Sequence, residues 1–217
     1  MILRKAEWFI LIVAAIAFIT GALAYPNVPP LVASHWDAAG NVNGYMSRAW
    51  GVFLFPIIFL VVFAIFLIIP RIDPKKENIA KFRKYFDHFI MGFALFFYYV
   101  YLLFLAWNMG YRFNFAVMLT PALALLFYLI GVLLTHTELN WTIGIRTPWT
   151  ISSEAVWRKT HDAGGTAFKV CAAIALVGTF FPGFSIWFVL APLIISMIGL
   201  VTYSYVLFER EKKGIKI

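Results

Sequence analysis

The chain has 217 residues, of which 63% are hydrophobic and 13% charged, with a mean hydropathy of +0.85. A soluble domain holds roughly 45–50% apolar and about 25% charged residues, and a chain this short exposes too much surface to hide the surplus in one core, so lipid is the implied solvent. The net charge of +8 would suit nucleic acid, but the basic residues fall between apolar runs, as they do in membrane proteins, and no nucleic-acid partner is expected.

A bilayer-crossing helix needs about 20 mainly apolar residues. Runs at 8–24, 51–69, 86–107, 115–134, 166–181 and 184–208 meet or approach that length. The sequence therefore predicts an all-α integral membrane protein with about six transmembrane helices in a single membrane domain over residues 1–217. The first run follows Arg4 and Lys5 and ends Ala22-Leu23-Ala24, in the manner of a signal peptide with a small-residue cleavage site. Its apolar stretch is long for such a signal, and retention as a span is the expectation. The fifth run is the weakest, with Lys169 near its start and a tight turn at Pro182-Gly183. Cys171, the single cysteine, lies inside that run and excludes an intrachain disulfide.

Charge sets the orientation. Fifteen lysines and arginines, in 4–5, 71–84, 146–159 and 210–216, fall on one side of this arrangement, and only Arg48 and Arg112 on the other, with Lys169 left aside. The positive-inside rule then puts both termini in the cytoplasm.

Between the first two runs, residues 25–50 form an extracytoplasmic segment too long for a plain connector. Pro26, Pro29 and Pro30 stiffen it, and Gly40-Asn41 and Asn43-Gly44 supply turns. Trp36, Tyr45 and Trp50 suit the membrane interface. A folded cap is expected. His35 and Asp37 are its chemical feature, either as part of a metal or acid–base site or as a histidine bonded to a turn-capping acid. In the third run, His88 beside Asp87 reads as an interfacial pair, and Phe93, Phe96, Phe97, Tyr98, Tyr99 and Tyr101 read as packing or lipid contacts.

Residues 135–165 form a second long polar segment, on the cytoplasmic side. Gly144 and Pro148 keep its first half extended, and Ser152 is expected to cap a helix from Ser153. On that helix Glu154, Arg158 and Asp162 can pair at i, i+4 and i+8, while Trp157 and His161 face inward. The prediction is an amphipathic helix at the interface, with Gly164-Gly165 allowing a bend or close packing. Arg146 sits among Ile143, Ile145, Pro148 and Trp149, where an unpaired charge is costly. Its candidate partners are Glu138, Asp162, lipid phosphate and backbone carbonyls. His136, Glu138 and His161 form a weak candidate metal set with irregular spacing, and His161, Glu138 and Asp162 are the catalytic candidates if the chain is an enzyme. No cofactor motif is present; there is no P-loop, Gly-rich dinucleotide turn or GxSxG elbow.

The outer segment, with Val28-Pro29, His35-Trp36, Gly40 and Asn43-Gly44-Tyr45, resembles the small extracytoplasmic module of SdpI-like membrane proteins. The inner stretch Asn140, Gly144-Ile145-Arg146-Thr147-Pro148-Trp149-Thr150, Trp157, Thr160-His161 and Gly164-Gly165 resembles the same family's signature. The resemblance implies immunity to a secreted peptide toxin and a receptor role toward a cytoplasmic regulator. It directs attention to His35, Asp37, Asn140, Arg146, Trp157 and His161 as the functional motif. The toxin would meet the outer cap, and the basic loop from Arg71 to Lys84 would meet the regulator or, more simply, anionic lipid. A membrane-embedded hydrolase, such as a metal-dependent peptidase using His and acidic groups, is the alternative.

Overall fold

The computed structural model describes residues 3–37 and 40–217. In chain order the elements are α1 (Lys5–Ala24), a 3-10 turn (Tyr25–Asn27), β1 (Leu31–Trp36), β2 (Val42–Ser47), α2 (Arg48–Ile72), α3 (Lys76–Lys81), α4 (Arg83–Asn108), α5 (Phe115–Leu134), α6 (Pro148–Ser152), α7 (Glu154–Gly178) and α8 (Trp187–Lys212). Five helices, α1, α2, α4, α5 and α8, are long and apolar enough to cross a membrane. They carry their large apolar side chains outward as well as inward: Leu23, Ile195 and Ile198 are 72%, 71% and 64% exposed. Such surface requires lipid.

Two expectations need correction. The predicted amphipathic helix and fifth span are one continuous helix, α7, of 25 residues. Helical residues run straight through Gly164-Gly165, because those glycines serve close packing rather than a bend: a Cβ at Gly165 would lie 2.8 Å from the Gly131 carbonyl of α5. With Glu154, Arg158, Lys159 and Asp162 in its first turns, α7 falls outside the set of apolar spans. The chain is also not wholly helical. The outer segment is an antiparallel hairpin, with Leu31 opposite Ser47, Val32 opposite Met46, and register shifts on either side of His35.

The hairpin is seated by apolar residues and one amide. Val32 is fully buried, and the Trp36 ring stacks on Phe115 at 4.1 Å. Asn108, at the end of α4, accepts the Ala33 N–H (2.8 Å) and donates to the Ala33 carbonyl (3.0 Å), so a side chain stands in for a third strand. Below the hairpin, Ile10, Phe59, Phe63, Phe86 and Ile90 fill the core among α1, α2 and α4. Phe93 and Phe97 interleave with Phe63 and Phe59, and Tyr101 donates to the Val52 carbonyl at 2.8 Å. α7 lies between α5 and α8, packed through Ala124, Phe127, Cys171, Ala175 and Val189.

At the opposite end from the hairpin, a charged lock holds α1, α2 and α4. Glu7 is fully buried and accepts from Arg71 (2.8 Å) and Arg83 (3.2 Å). Asp87 takes Arg83 (2.7 Å) and Arg4 (2.8 Å). A buried carboxylate survives only with such compensation. Asp87 is thus engaged with arginines, and His88 beside it is exposed.

Candidate functional site

The chain leaving α5 folds back over the end of the bundle and is shaped by asparagine and threonine side chains. Asn140 is fully buried. Its amide donates to the carbonyls of Glu138 and Ile143, both at 2.9 Å, and its oxygen accepts the N–H of Ile143 (2.6 Å) and Thr142 (2.9 Å). One side chain therefore closes the whole 138–143 turn. Asp73, just past α2 and 2% exposed, accepts the Trp141 N–H (3.1 Å) and the Thr142 hydroxyl (2.6 Å). Asn78 adds a bond to the Leu139 carbonyl at 2.8 Å.

The next five residues form a reciprocal cap. The Thr147 hydroxyl accepts the Thr150 N–H (3.1 Å), and the Thr150 hydroxyl accepts the Thr147 N–H (2.9 Å), while Pro148 opens α6. Thr147 also reaches Ser204 of α8 at 3.1 Å. Ser153, not Ser152, caps α7, its hydroxyl accepting the Val156 N–H. Ser152 ends α6 and bonds back to the Pro148 carbonyl.

Trp157 and His161 occupy the centre. Both are buried, at 2% and 1% exposure, and their rings stack at 4.0 Å. The Trp157 indole donates to the Thr137 carbonyl (3.0 Å). His161 is held at both nitrogens: Nδ1 donates to the Trp157 carbonyl (2.8 Å), and Nε2 accepts the Ile145 N–H (2.9 Å). Those bonds fix the neutral tautomer. Burial holds its pKa down to about 4, against the opposing pull of the Trp157 carbonyl and the Asp162 carboxylate. Gly144, at φ +119°, lies against this ring, where any Cβ would strike Nε2.

Beside this core opens a cleft of about 310 Å³, lined by His136, Glu138, Glu154, Trp157, Arg158, His161 and Asp162 among others. It brings together all three catalytic candidates and all three metal candidates. Within it His136 stacks on Tyr85 at 3.5 Å and bonds through Nδ1 to the Val132 carbonyl (2.8 Å). Among the described residues, no three His, Cys, Asp or Glu side chains are arranged to hold a metal ion. Glu154, Arg158 and Asp162 are exposed on one face, and none of them is in an ion pair among the described residues, contrary to the expected pairing.

Other candidates lie elsewhere. Arg146 is exposed and donates to the Trp141 carbonyl at 2.7 Å, so of its candidate partners it takes a backbone carbonyl. In the hairpin at the far end of the bundle, His35 pairs through Nδ1 with the Asn43 side chain. Asp37 accepts the Asn41 N–H (2.8 Å), closing the turn before β2. Within the 71–84 loop, Arg71 and Arg83 are turned inward to Glu7, while Lys76, Lys81 and Lys84 remain exposed.

Comparison with known proteins follows the same division. Residues 137–205, from the turn after α5 into α8, match the SdpI/YfhL protein family, and residues 12–60 match a domain of unknown function, DUF1648. Over 203 residues, covering 94% of each chain, the sequence is 23% identical to the immunity protein SdpI of Bacillus subtilis (strain 168). No solved structure matches it.

Proposed function

We propose that this chain, which belongs to the SdpI/YfhL family of membrane proteins and carries the DUF1648 domain, is an immunity and sensor protein of a prokaryotic cytoplasmic membrane. It binds a secreted peptide toxin at the hairpin and relays its presence to a cytoplasmic regulator. The observation that carries this reading is the end-to-end similarity to a relative named as an immunity protein. The chain crosses the membrane six times, with the 25-residue α7 as the extra span and its charged first turns at the cytoplasmic face. α7 packs between α5 and α8, where a returning span belongs. Both termini, the 71–84 loop and the His161 core are then cytoplasmic, and the hairpin is outside. Lys76 and Lys81, exposed in that loop, are the regulator's docking surface.

The hydrogen bonding of His161 supports a shaped binding core over a catalytic one. A general base needs a free nitrogen within reach of a substrate proton, and both of its nitrogens are committed to the backbone. The grouping of His136, Glu138 and Asp162 in one cleft favours the alternative, a hydrolase. The test is a toxin-challenge assay in cells making the wild-type chain or His161→Gln. Protection by the wild type, largely kept by the variant, is expected. Complete loss in a normally inserted variant, together with loss on chelator treatment of the wild type, would replace immunity by binding with metal-dependent hydrolysis.

A further inference from the structure

α1 and α4 begin side by side, both with their N-termini at the basic end of the bundle. Between their first turns lies a cavity of about 540 Å³. Its cations fall into two kinds. Arg4 is neutralised by Asp87 through a two-pronged contact at 2.9 and 2.8 Å. Lys5, Lys84 and His88 line the same cavity and are exposed, and their side chains make no hydrogen bond or ion pair among the described residues. Leu3, Ala6 and Met91 supply an apolar side. Lys5 is the first residue of α1 and Lys84 the second of α4.

We infer that this cavity is a binding site for the headgroup phosphate of an anionic phospholipid. Lys5 and Lys84 carry the charge, His88 offers a further ring nitrogen, and the apolar side receives the start of the acyl chains. The site is complementary in charge, since Asp87, its one carboxylate, is already spent on Arg4 and Arg83. It is also complementary in depth, because it sits where two membrane-spanning helices begin. The inference uses the orientation proposed above but not the toxin reading, so the two stand or fall separately.

The test is native mass spectrometry of the full chain in neutral detergent with equal amounts of dioleoylphosphatidylglycerol and dioleoylphosphatidylcholine. The wild type is expected to retain one phosphatidylglycerol in preference to phosphatidylcholine. Lys5→Gln/Lys84→Gln should weaken that binding about tenfold or more, as each basic residue near a lipid surface contributes measurably. Lys5→Arg/Lys84→Arg should keep it, and Lys212→Gln/Lys213→Gln, an equal charge loss at another basic end, should leave it within about twofold. Equal retention of the two lipids by the wild type would overturn the inference. So would equal loss in both glutamine pairs, which would mean diffuse charge attraction. Inorganic phosphate at the same concentration is expected to leave the lipid bound, and its displacement would reassign the site to the free anion.

Discussion

Removing the Asn140 side chain tests whether the signature turn is held as described. Asn140→Ala strands the Ile143 N–H and carbonyl, both buried, and also frees the Glu138 carbonyl and the Thr142 N–H. A buried group left unpaired costs roughly 1–3 kcal/mol. The two groups of Ile143 alone therefore give about 2–6 kcal/mol. For a chain of this size each kcal/mol lowers the melting temperature by roughly 2–4 °C, so a drop of about 4–24 °C is expected in detergent by a thermal-shift assay. Asn140→Asp should do no better, although it keeps one oxygen for the Ile143 N–H. Its second oxygen would replace the NH₂ group and face two carbonyls. A melting temperature within about 2 °C of wild type for the alanine variant, or a stable aspartate variant, would refute the account.

Three further outcomes follow from the same geometry. Glu7→Gln leaves Arg71 and Arg83 facing a neutral group, and breaking a buried pair costs about 3–5 kcal/mol; reduced yield of folded protein and a lower melting temperature are expected, and no change would mean the arginines hydrate freely. His161 has a folded pKa of about 4 against 6.5, so the unfolded chain binds the extra proton between those values, and stability should fall as pH drops through that window by up to about 3 kcal/mol. His161→Gln should flatten this part of a melting-temperature profile, and an identical slope in the variant would assign the effect to another group. Finally, in a Cys171→Ser background, a cysteine at Asn43 should react with an impermeant maleimide in intact cells and one at Lys76 should not; the opposite pattern would invert the orientation.

What the sequence disclosed tracks how local each signal is. Five spans were legible because composition over some 20 residues is enough. α7 was split in two because its first turns are charged and its second half apolar, a change of solvent along one helix rather than a break. The hairpin was missed as a strand pair, since the polar alternation of residues 42–47 gives little apolar signal and proline and glycine dominate the segment. The burial of Trp157 and His161 was legible from their spacing on one helical stripe. Asp73, Glu7 and Asn108 were not singled out, because their partners lie far along the chain: Asp73 meets Trp141, Glu7 meets Arg71, and Asn108 meets Ala33. The one available hint was an acid in the first turn of a span flanked by basic residues. For Arg146 the sequence offered four kinds of partner, and the one that it takes, the Trp141 carbonyl, is among them.

Strand β2 ends at Ser47 and α2 starts at Arg48, with no linker between them. At its other end α2 gives way to Asp73, which is bonded to Trp141 and Thr142. The outer hairpin and the turn at 138–143 are therefore joined through a single strut. Its helix alone measures about 37 Å. A chimera that exchanges the outer hairpin between relatives must also import the pitch and length of α2, or the Asp73 carboxylate will arrive out of register with the turn that it holds.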